Sequence, residues 1–243
     1  MVSWKTAQAS LLLMSSLIVT ASVNAQDEEF NSDPWESVNR KIFNFNDGVA
    51  RVILKPVAKG YKAITPDPLE KGLSNVFGNI EEVPNVINDL LQGKPGQALH
   101  DGGRFLINST LGIAGLFDVA EKFGLEQSDG EDFGQTLAVW GVERGPYVVL
   151  PFLGPSSVRG VASFPVDSYT DPTSYIEHIP TRNTVKGVDL IVTRAEILEL
   201  EKLLSGDKYT FLREAYLQRL EYLENDGEVT EDEFFDDFED EDY

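Results

Sequence analysis

Apolar residues recur every three or four positions through most of this chain, a spacing that predicts α-helices. The first clear stripe would line one helix face, and Pro56 would end or bend that helix. Its members are Val38, Ile42, Phe45, Val49 and Val52. Because other apolar residues flank this stripe, the helix suits either a place between protein layers or contact with lipid.

Proline and glycine residues divide the middle of the chain into shorter predicted elements. Pro84 suits the first turn of a helix that Gly93 would close, and Pro95 would begin the next helix. The glycines within residues 110–116 indicate close backbone packing. Three prolines within residues 145–160 oppose both a long helix and a central strand. We therefore expect an apolar, irregular or extended segment there, either buried or in contact with lipid or a partner.

Two further apolar stripes lie on either side of Gly206, and Asp207 is the predicted N-cap of the second. The first contains Val188, Ile191, Ala195 and Leu198, and the second contains Tyr209, Leu212, Tyr216, Leu220 and Leu223. The short turn between them predicts an antiparallel pair of helices. The whole pattern predicts a mainly α protein with a single compact helical domain over residues 33–223.

The amino-terminal pattern is that of a secretory signal peptide. A positively charged start is followed by a short apolar run over residues 11–19 and then by small residues. We predict a signal peptide over residues 1–25, cleavage between Ala25 and Gln26, and a short linker over residues 26–32. An uncleaved membrane anchor is the alternative, but the apolar run is short for a hydrocarbon core of about 30 Å.

Charge is distributed unevenly along the chain. The 41 acidic and 20 basic residues give a net charge of −21, and residues 224–243 contain no lysine or arginine. We predict a disordered acidic C-terminal tail over residues 224–243, although its phenylalanines also suit docking on a basic surface. Nucleic acid is not a predicted partner, because binding it requires clustered positive charge.

The chain offers few residues for chemistry. It has no cysteine and two histidines, and it lacks the zinc-protease, phosphate-loop and serine-hydrolase motifs. We therefore predict that the protein is not an enzyme and binds no cofactor or metal. Without cysteine, an exported chain forms no disulfide and carries no thioether-linked lipid, so any membrane contact would come from the folded chain.

Five ordered blocks of sequence resemble the MlaA (VacJ) family of outer-membrane phospholipid-transport proteins. The first block reads DPWESVNR followed by FNFN, and the fourth reads FGQTL followed by GPYV and LPF. The second contains GLSN, GNIEE and LQG, the third runs from RF through FDVA, and the fifth contains TRA and REAYLQR. The resemblance covers about residues 33–227.

This resemblance implies a fold and a function. Members are mostly helical rings in the inner leaflet of the outer membrane, with an amphipathic channel that passes misplaced phospholipids to a soluble periplasmic carrier. Their usual partners are trimeric porins, and they perform no covalent chemistry. The resemblance therefore implies phospholipid transport that maintains outer-membrane lipid asymmetry. Because this chain lacks the lipid-bearing cysteine of many members, a soluble periplasmic lipid-binding or scaffold protein is the alternative.

The candidate lipid-binding or channel residues lie in the first helix and in the proline-rich segment. They are Asn39, Arg40, Phe43, Asn44, Phe45, Asn46, Tyr147, Val148, Leu150, Pro151 and Phe152. A lipid conduit needs polar groups for the headgroup beside an apolar path for the tails, and both kinds of side chain occur here. The alternative is that the asparagines and the arginine cap or cross-link helices, since buried polar groups need partners in either case.

Overall fold

The computed structural model describes residues 33–198, 201 and 206–227. Its helices are α1 (Glu36–Val49), α2 (Lys55–Ile64), α3 (Asp67–Gln92), α4 (Pro95–Thr110), α5 (Phe133–Val139), α6 (Val158–Thr170), α7 (Ile179–Glu196) and α8 (Lys208–Glu224). Two short strands, β1 (Tyr147–Leu150) and β2 (Gly154–Ser157), form the sheet of this part of the chain. The mainly helical fold class is confirmed. The predicted signal peptide, its cleavage site and the linker lie outside the described residues.

The first predicted helix does not end at Pro56. Helix α1 continues through a π-helical turn, Ala50–Leu54, into α2, and Pro56 lies in the first turn of α2. Proline has no backbone N–H, and its ring crowds the carbonyl four residues earlier. A wider turn immediately before the proline relieves that crowding, so the chain keeps a helical path.

Pro84 does not begin a helix either, because it lies inside the 26-residue helix α3. The missing N–H of Pro84 removes one helical hydrogen bond, but α3 packs along α4 more extensively than any other pair of elements in the described chain. That packing outweighs the local preference for a break. Gly93 ends α3 in the left-handed conformation, with φ of 78°, and Pro95 begins α4, as predicted.

The turn after α4 requires glycine at two positions, as the sequence predicts. A Cβ atom added to Gly112 would clash with the Phe117 carbonyl oxygen and lie 2.5 Å from that of Asn108. Gly115 has φ of +88°, and a Cβ there would lie 2.7 Å from Cβ of Asn79. The turn is therefore pressed against backbone on one side and against α3 on the other.

Replacing Gly112 by alanine is expected to lower the free energy of unfolding by about 1–3 kcal/mol, because the neighbouring backbone must move. Gly96→Ala is the matched control, since a Cβ atom at Gly96 meets nothing within 4 Å in the first turn of α4. That control should be neutral or stabilise by up to about 1 kcal/mol. Thermal unfolding of both variants in the same detergent would measure the difference, and equal melting temperatures would contradict the prediction.

The proline-rich segment forms a hairpin rather than an irregular loop. Strands β1 and β2 are antiparallel, with Tyr147 opposite Ser157 and Leu150 opposite Gly154. The prolines lie before β1, in the turn and in β2, positions that a two-stranded sheet tolerates because each strand has a free edge. In the turn, Phe152 has φ of 65°, which is uncommon for a residue with a side chain.

Helices α7 and α8 are not the packed antiparallel pair that their short connection predicts. Helix α7 packs on α2 and α3, while α8 packs on β2 and α5. Their apolar residues enter two separate clusters, one around Ala58 and Ala195 and one around Tyr147 and Tyr209. The side chain of Asp207 accepts a hydrogen bond from the Tyr209 N–H at 3.1 Å, which confirms the predicted N-cap.

Helix α8 includes Glu224, the first residue of the predicted acidic tail. Its carboxylate accepts hydrogen bonds from Arg144, at 3.1 Å, and from Arg159. Asp226 forms an ion pair with Lys94. The chain is therefore held against the domain as far as these residues, and residues 228–243 lie outside the described part.

None of the described helices combines the length and the apolar composition needed to cross a bilayer.

Candidate functional site

The described domain buries polar side chains and exposes apolar ones. More of its buried residues are polar or charged than apolar, whereas soluble proteins mainly bury aliphatic and aromatic residues. Val52 is 73% exposed, Leu99 is 79% exposed and Ile64 is 83% exposed. Other exposed apolar residues include Val38, Phe45, Leu106, Leu111, Ile113, Phe117 and Phe123. The stripe predicted for α1 is thus partly on the surface, while Asn39 faces inward.

Amide and charged side chains link the buried faces of α3 and α4. Arg104 donates hydrogen bonds to Glu82, at 2.7 Å, and to Asp118, at 3.1 Å. Asn108 donates to Asp118 at 3.1 Å and accepts from the backbone N–H groups of Val119 and Ala120. The side chains of Arg104 and Glu82 are 4% and 2% exposed. This polar network therefore replaces the usual apolar contact between two helices.

Asp89 is a second buried acid in this interior, and its carboxylate oxygens have no hydrogen-bond partner among the described residues. Burial is the largest cause that raises the pKa of Asp89 to about 7, and the charges of Asp101 and Glu131 contribute to the rise while Lys94 opposes it. Ionisation of Asp89 thus leaves a charge in the polar interior without a bonded partner, which disfavours the folded state.

We expect Asp89→Asn to raise the melting temperature at pH 8. The pKa of Asp89 is about 7 in the folded chain and about 3.9 in the unfolded chain. The protonated acid therefore stabilises the fold fully below about pH 3.9, and this contribution is lost as pH rises through about 7. The advantage of the amide should therefore shrink as pH falls from 7 toward 4. Melting curves at several pH values would measure this, and a difference that does not change with pH would contradict the assignment.

Two asparagines hold helix α1 against the hairpin. The side chain of Asn39 donates to the Tyr147 carbonyl oxygen at 3.1 Å and accepts from the Val149 N–H at 2.9 Å. Asn46, further along α1, makes the same pair of bonds: it donates to the Leu150 carbonyl at 2.9 Å and accepts from the Phe152 N–H at 2.8 Å. Each amide completes the outer edge of β1, so both asparagines cross-link elements.

An aromatic cluster lies behind this junction. Phe43 and Tyr147 each make edge-on contacts with Tyr209, at ring-centroid distances of 5.5 and 6.3 Å. The Arg40 guanidinium lies 4.3 Å from the centroid of the same Tyr209 ring and binds Asp207 at 2.7 Å. Burial, followed by the charge of Asp33, raises the pKa of Tyr147 to about 12. The cluster joins α1 and β1 to the start of α8.

A cavity of about 650 Å³ opens between α1, the π turn, the hairpin, the end of α7 and the start of α8. Most of its wall is apolar, and its volume falls in the range of small-molecule sites. The apolar lining residues are Phe43, Ala50, Leu54, Val149, Phe152, Leu153, Pro155, Ile197, Phe211 and Leu212. Phe152 is itself 73% exposed, so the apolar wall continues onto the surface.

Charged side chains form a continuous chain at this cavity, which we call the charged rim: Asp47, Lys208, Glu201 and Arg194. Lys208 Nζ lies 3.3 Å from Asp47 and 3.5 Å from Glu201, and Arg194 donates to Glu201 at 2.8 Å. Burial would raise the pKa of Glu201, but Lys55 and the two rim cations lower it overall. The rim therefore places two cations and two carboxylates beside an apolar wall.

The eleven candidate residues occupy different places. Phe43, Asn46 and Phe152 line the cavity, while Asn39 and Tyr147 are buried behind it. Arg40 lies at the α8 junction, and Phe45 contacts Phe152 at a ring-centroid distance of 5.1 Å. Asn44 and Pro151 are exposed, and Val148 and Leu150 are half-buried. Their roles in lipid binding stay predictions.

Sequence reasoning missed the residues that close the cavity from the other side. Arg194 and Lys208 supply its cations, and Phe211 adds an aromatic wall. The predicted apolar stripe of α8 includes Leu212, which does line the cavity. Lys208 and Phe211 lie off that stripe, so the apolar spacing does not identify them. The end of α7 and the start of α8 are close in the chain, but no spacing encodes that they meet α1 and the hairpin at this cavity.

Comparison with known proteins gives a consistent result. A family model described as MlaA lipoprotein matches residues 31–223. The intermembrane phospholipid transport system lipoprotein MlaA of Escherichia coli is 36% identical over 228 residues, covering 91% of this chain and 90% of that protein. The protein of the same description from Haemophilus influenzae is 33% identical over 235 residues, covering 93% and 94%.

One solved structure has the same fold. It comes from work on the structural basis for maintenance of bacterial outer membrane lipid asymmetry, and it matches with a TM-score of 0.71. The sequence identity is 35%, and the match covers 79% of this chain and 99% of that one. The similarity therefore extends through nearly all of the solved chain rather than one motif.

Proposed function

The chain belongs to the MlaA lipoprotein family, and from that premise we propose that it moves phospholipids between the outer membrane and a soluble periplasmic carrier. In this proposal it removes phospholipids misplaced in the outer leaflet and so maintains lipid asymmetry. It performs no covalent chemistry, in keeping with relatives that are described as components of a transport system. Its position is the periplasmic face of the outer membrane.

The observation that carries this proposal is the exposure of apolar side chains around a polar interior. Exposed leucine, isoleucine and phenylalanine residues extend along α4 and through the turn that follows it. In water such a surface would favour aggregation, whereas in a lipid leaflet it is solvated by acyl chains. Buried groups such as Arg104, Glu82 and Asn108 make their hydrogen bonds inside the domain, as a chain surrounded by lipid requires.

The cavity combines an apolar wall with a charged rim, as a path for a phospholipid requires. Its apolar wall, from Phe43 to Leu212, suits acyl chains, and its charged rim suits a polar headgroup. We propose that this cavity forms part of the amphipathic channel, with the candidate residues Phe43, Asn46 and Phe152 on its wall. A ring-like arrangement of the helices around that channel belongs to the same proposal.

Two protein partners belong to the proposal. A trimeric porin would hold the chain at the outer membrane, and a soluble carrier would receive lipid on the periplasmic side. The exposed apolar side chains of α4 and its following turn suit contact with lipid or with a porin. The acidic segment that begins near Glu224 suits a basic surface on the carrier.

Fractionation combined with lipid analysis tests the proposal. The full chain should remain in the outer-membrane fraction after high-salt and carbonate washes, because its attachment is apolar rather than ionic. Phospholipid should co-purify with it in mild detergent. A matched variant with Leu99, Leu106 and Phe117 changed to serine should keep its helical circular dichroism and move toward the soluble fraction. Complete release of the unchanged chain without bound lipid would overturn the proposal.

A soluble periplasmic lipid-binding or scaffold protein is the second candidate. The observation that favours it is the absence of cysteine from the chain, since relatives are described as lipoproteins. This candidate predicts release from membranes by high salt alone, with phospholipid still bound to the released protein. The same fractionation therefore separates the two candidates.

A further inference from the structure

The segment from the π turn through helix α2 has the opposite charge from the rest of the chain. Residues 48–66 contain four basic residues and no acidic residue, although the whole chain has a net charge of −21. The four are Arg51, Lys55, Lys59 and Lys62. Successive members are four, four and three residues apart, or about one turn each, so they follow one line along the continuous helical path. We call this line the cationic edge.

An aliphatic edge runs along the other side of the same helical path. It consists of Ile53 in the π turn and of Val57 and Ile64 in α2, which are 55%, 44% and 83% exposed. A helix advances about 100° per residue, so Val57 and Ile64 lie roughly 140–160° round the helix from Lys59. The two edges therefore face different surroundings.

The rest of α2 separates the two edges. On its inner side, Ala58 is fully buried and packs with Ala195 of α7, which holds the helix against the domain. On its outer side, between the edges, lie the exposed small residues Pro56, Gly60 and Ala63. A basic edge, a face of small residues and an aliphatic edge are the arrangement of a helix that lies in the plane of a bilayer interface.

Two cations of the edge are available to an external anion. Lys59 is exposed and forms no ion pair within the part of the chain that the structure describes. Lys62 lies 3.5 Å from Glu70, a surface pair of the kind that water and salt weaken. Arg51 and Lys55 have closer pairs with acids of the domain, so the contact falls chiefly to Lys59 and Lys62.

We infer that α2 lies at the headgroup boundary of a phospholipid leaflet and concentrates anionic phospholipids beside it. The inference rests on the proposed position at the outer membrane, and it adds the helix that meets the boundary and the class of lipid next to it. Lys59 and Lys62 extend toward the headgroup phosphates, while Val57 and Ile64 enter the acyl region. The apolar surface of the domain still holds the chain in the membrane.

The two edges together select this occupant. An acidic protein segment would neutralise the cationic edge but would leave the aliphatic edge in water, whereas a leaflet provides both anions and acyl chains. A zwitterionic headgroup carries an ammonium group that offsets its phosphate. With no acid in residues 48–66 to attract that ammonium group, an anionic headgroup such as that of phosphatidylglycerol is favoured.

A single fluorescent label on α2 tests which lipid collects there. The chain has no cysteine, and a Cβ atom at Gly60 meets nothing within 4 Å, so Gly60→Cys provides one tolerated labelling position. The labelled full chain is placed in phosphatidylcholine nanodiscs that contain a small, equal fraction of spin-labelled phosphatidylglycerol or spin-labelled phosphatidylcholine. We expect the phosphatidylglycerol to quench the label at least about twofold more strongly, and this excess to disappear at high salt.

Charge variants of the labelled chain identify the residues responsible. Lys59→Gln/Lys62→Gln should bring the two quenching values together, whereas Lys59→Arg/Lys62→Arg should keep the excess because it keeps both charges. Lys122→Gln/Arg219→Gln is the matched control, since it removes two exposed cations from other elements and should also keep the excess. Equal melting temperatures would confirm that each variant is folded.

The remaining outcomes separate this inference from the proposed function. Equal quenching by the two lipids in the unchanged chain, or an excess that survives Lys59→Gln/Lys62→Gln, would show that the inference alone is wrong. Absence of quenching by either lipid in a chain that enters nanodiscs would show that α2 meets something other than the leaflet, which also overturns it. A chain that neither enters nanodiscs nor co-purifies with phospholipid would overturn both proposals.

Discussion

Arg104→Ala is expected to lower the free energy of unfolding by about 3–5 kcal/mol, the usual effect of removing one partner from a buried ion pair. The substitution leaves Glu82 charged and 2% exposed, without the 2.7 Å hydrogen bond that it accepts from Arg104. Asp118 and the Leu125 carbonyl lose a donor as well. Thermal and urea unfolding in one detergent, followed by circular dichroism, would measure the loss.

The matched control is Arg51→Ala. Arg51 pairs with Asp47 one helical turn away, and its side chain is 69% exposed, so the expected loss is below about 0.5 kcal/mol. A loss below about 1 kcal/mol for Arg104→Ala would show that the interior admits water and that this network is solvated.

The pH dependence of the Arg104→Ala variant gives an independent check. Burial raises the pKa of Glu82 even in the unchanged chain, where the Arg104 hydrogen bond lowers it in part. Without Arg104 the pKa of Glu82 rises further, so its protonated form is favoured on folding. The destabilisation should therefore be greatest above the raised pKa and should decrease as pH falls through it.

Asn39→Ala is expected to lower the free energy of unfolding by about 2–4 kcal/mol and to loosen the hairpin, because two buried backbone groups lose their partners. These are the Tyr147 carbonyl and the Val149 N–H, which bind the amide at 3.1 and 2.9 Å. Hydrogen exchange of the Val149 amide should accelerate with the loss of stability. Asn44→Ala on the exposed side of the same helix is the control and should be nearly neutral.

Asn39→Asp tests the direction of these bonds. An aspartate keeps an acceptor for the Val149 N–H, but it has no donor for the Tyr147 carbonyl or for Asp33, which lies 2.7 Å from the amide nitrogen. Two carboxylates would then meet in a buried space. We expect this variant to be at least as unstable as Asn39→Ala near neutral pH and to recover on acidification. Equal stability of Asn39→Asp and the unchanged chain would contradict the assignment.

Local rules account for much of the secondary structure. Gly93, Pro95 and Asp207 act where their conformations and hydrogen bonds predict, since helix ends depend on one or two residues. Pro56 and Pro84 lie within helical paths because a π turn and long packing against α4 compensate for what proline removes. A single sequence contains no sign of either compensation.

The candidate site was predicted in part. Phe43, Asn46 and Phe152 line the cavity because the first helix and the hairpin do meet there. The inward side of α1 was harder to predict. In water the apolar face of a helix packs inward, whereas in lipid an apolar face can point outward. Arg194 and Lys208 lie in consecutive helices, but these helices are distant in sequence from α1 and the hairpin, so their position at the cavity depends on the whole fold.

The polar interior has a consequence for the heat capacity of this protein. Unfolding an ordinary domain raises heat capacity by about 12–15 cal/mol/K per residue, because newly hydrated apolar surface adds to it and polar surface subtracts. Here unfolding hydrates buried groups such as Glu82, Asn88 and Asp101, while residues such as Leu99 and Ile113 are already outside. The increment per residue should therefore be smaller than in an ordinary domain, and the free energy of unfolding should change more gently with temperature.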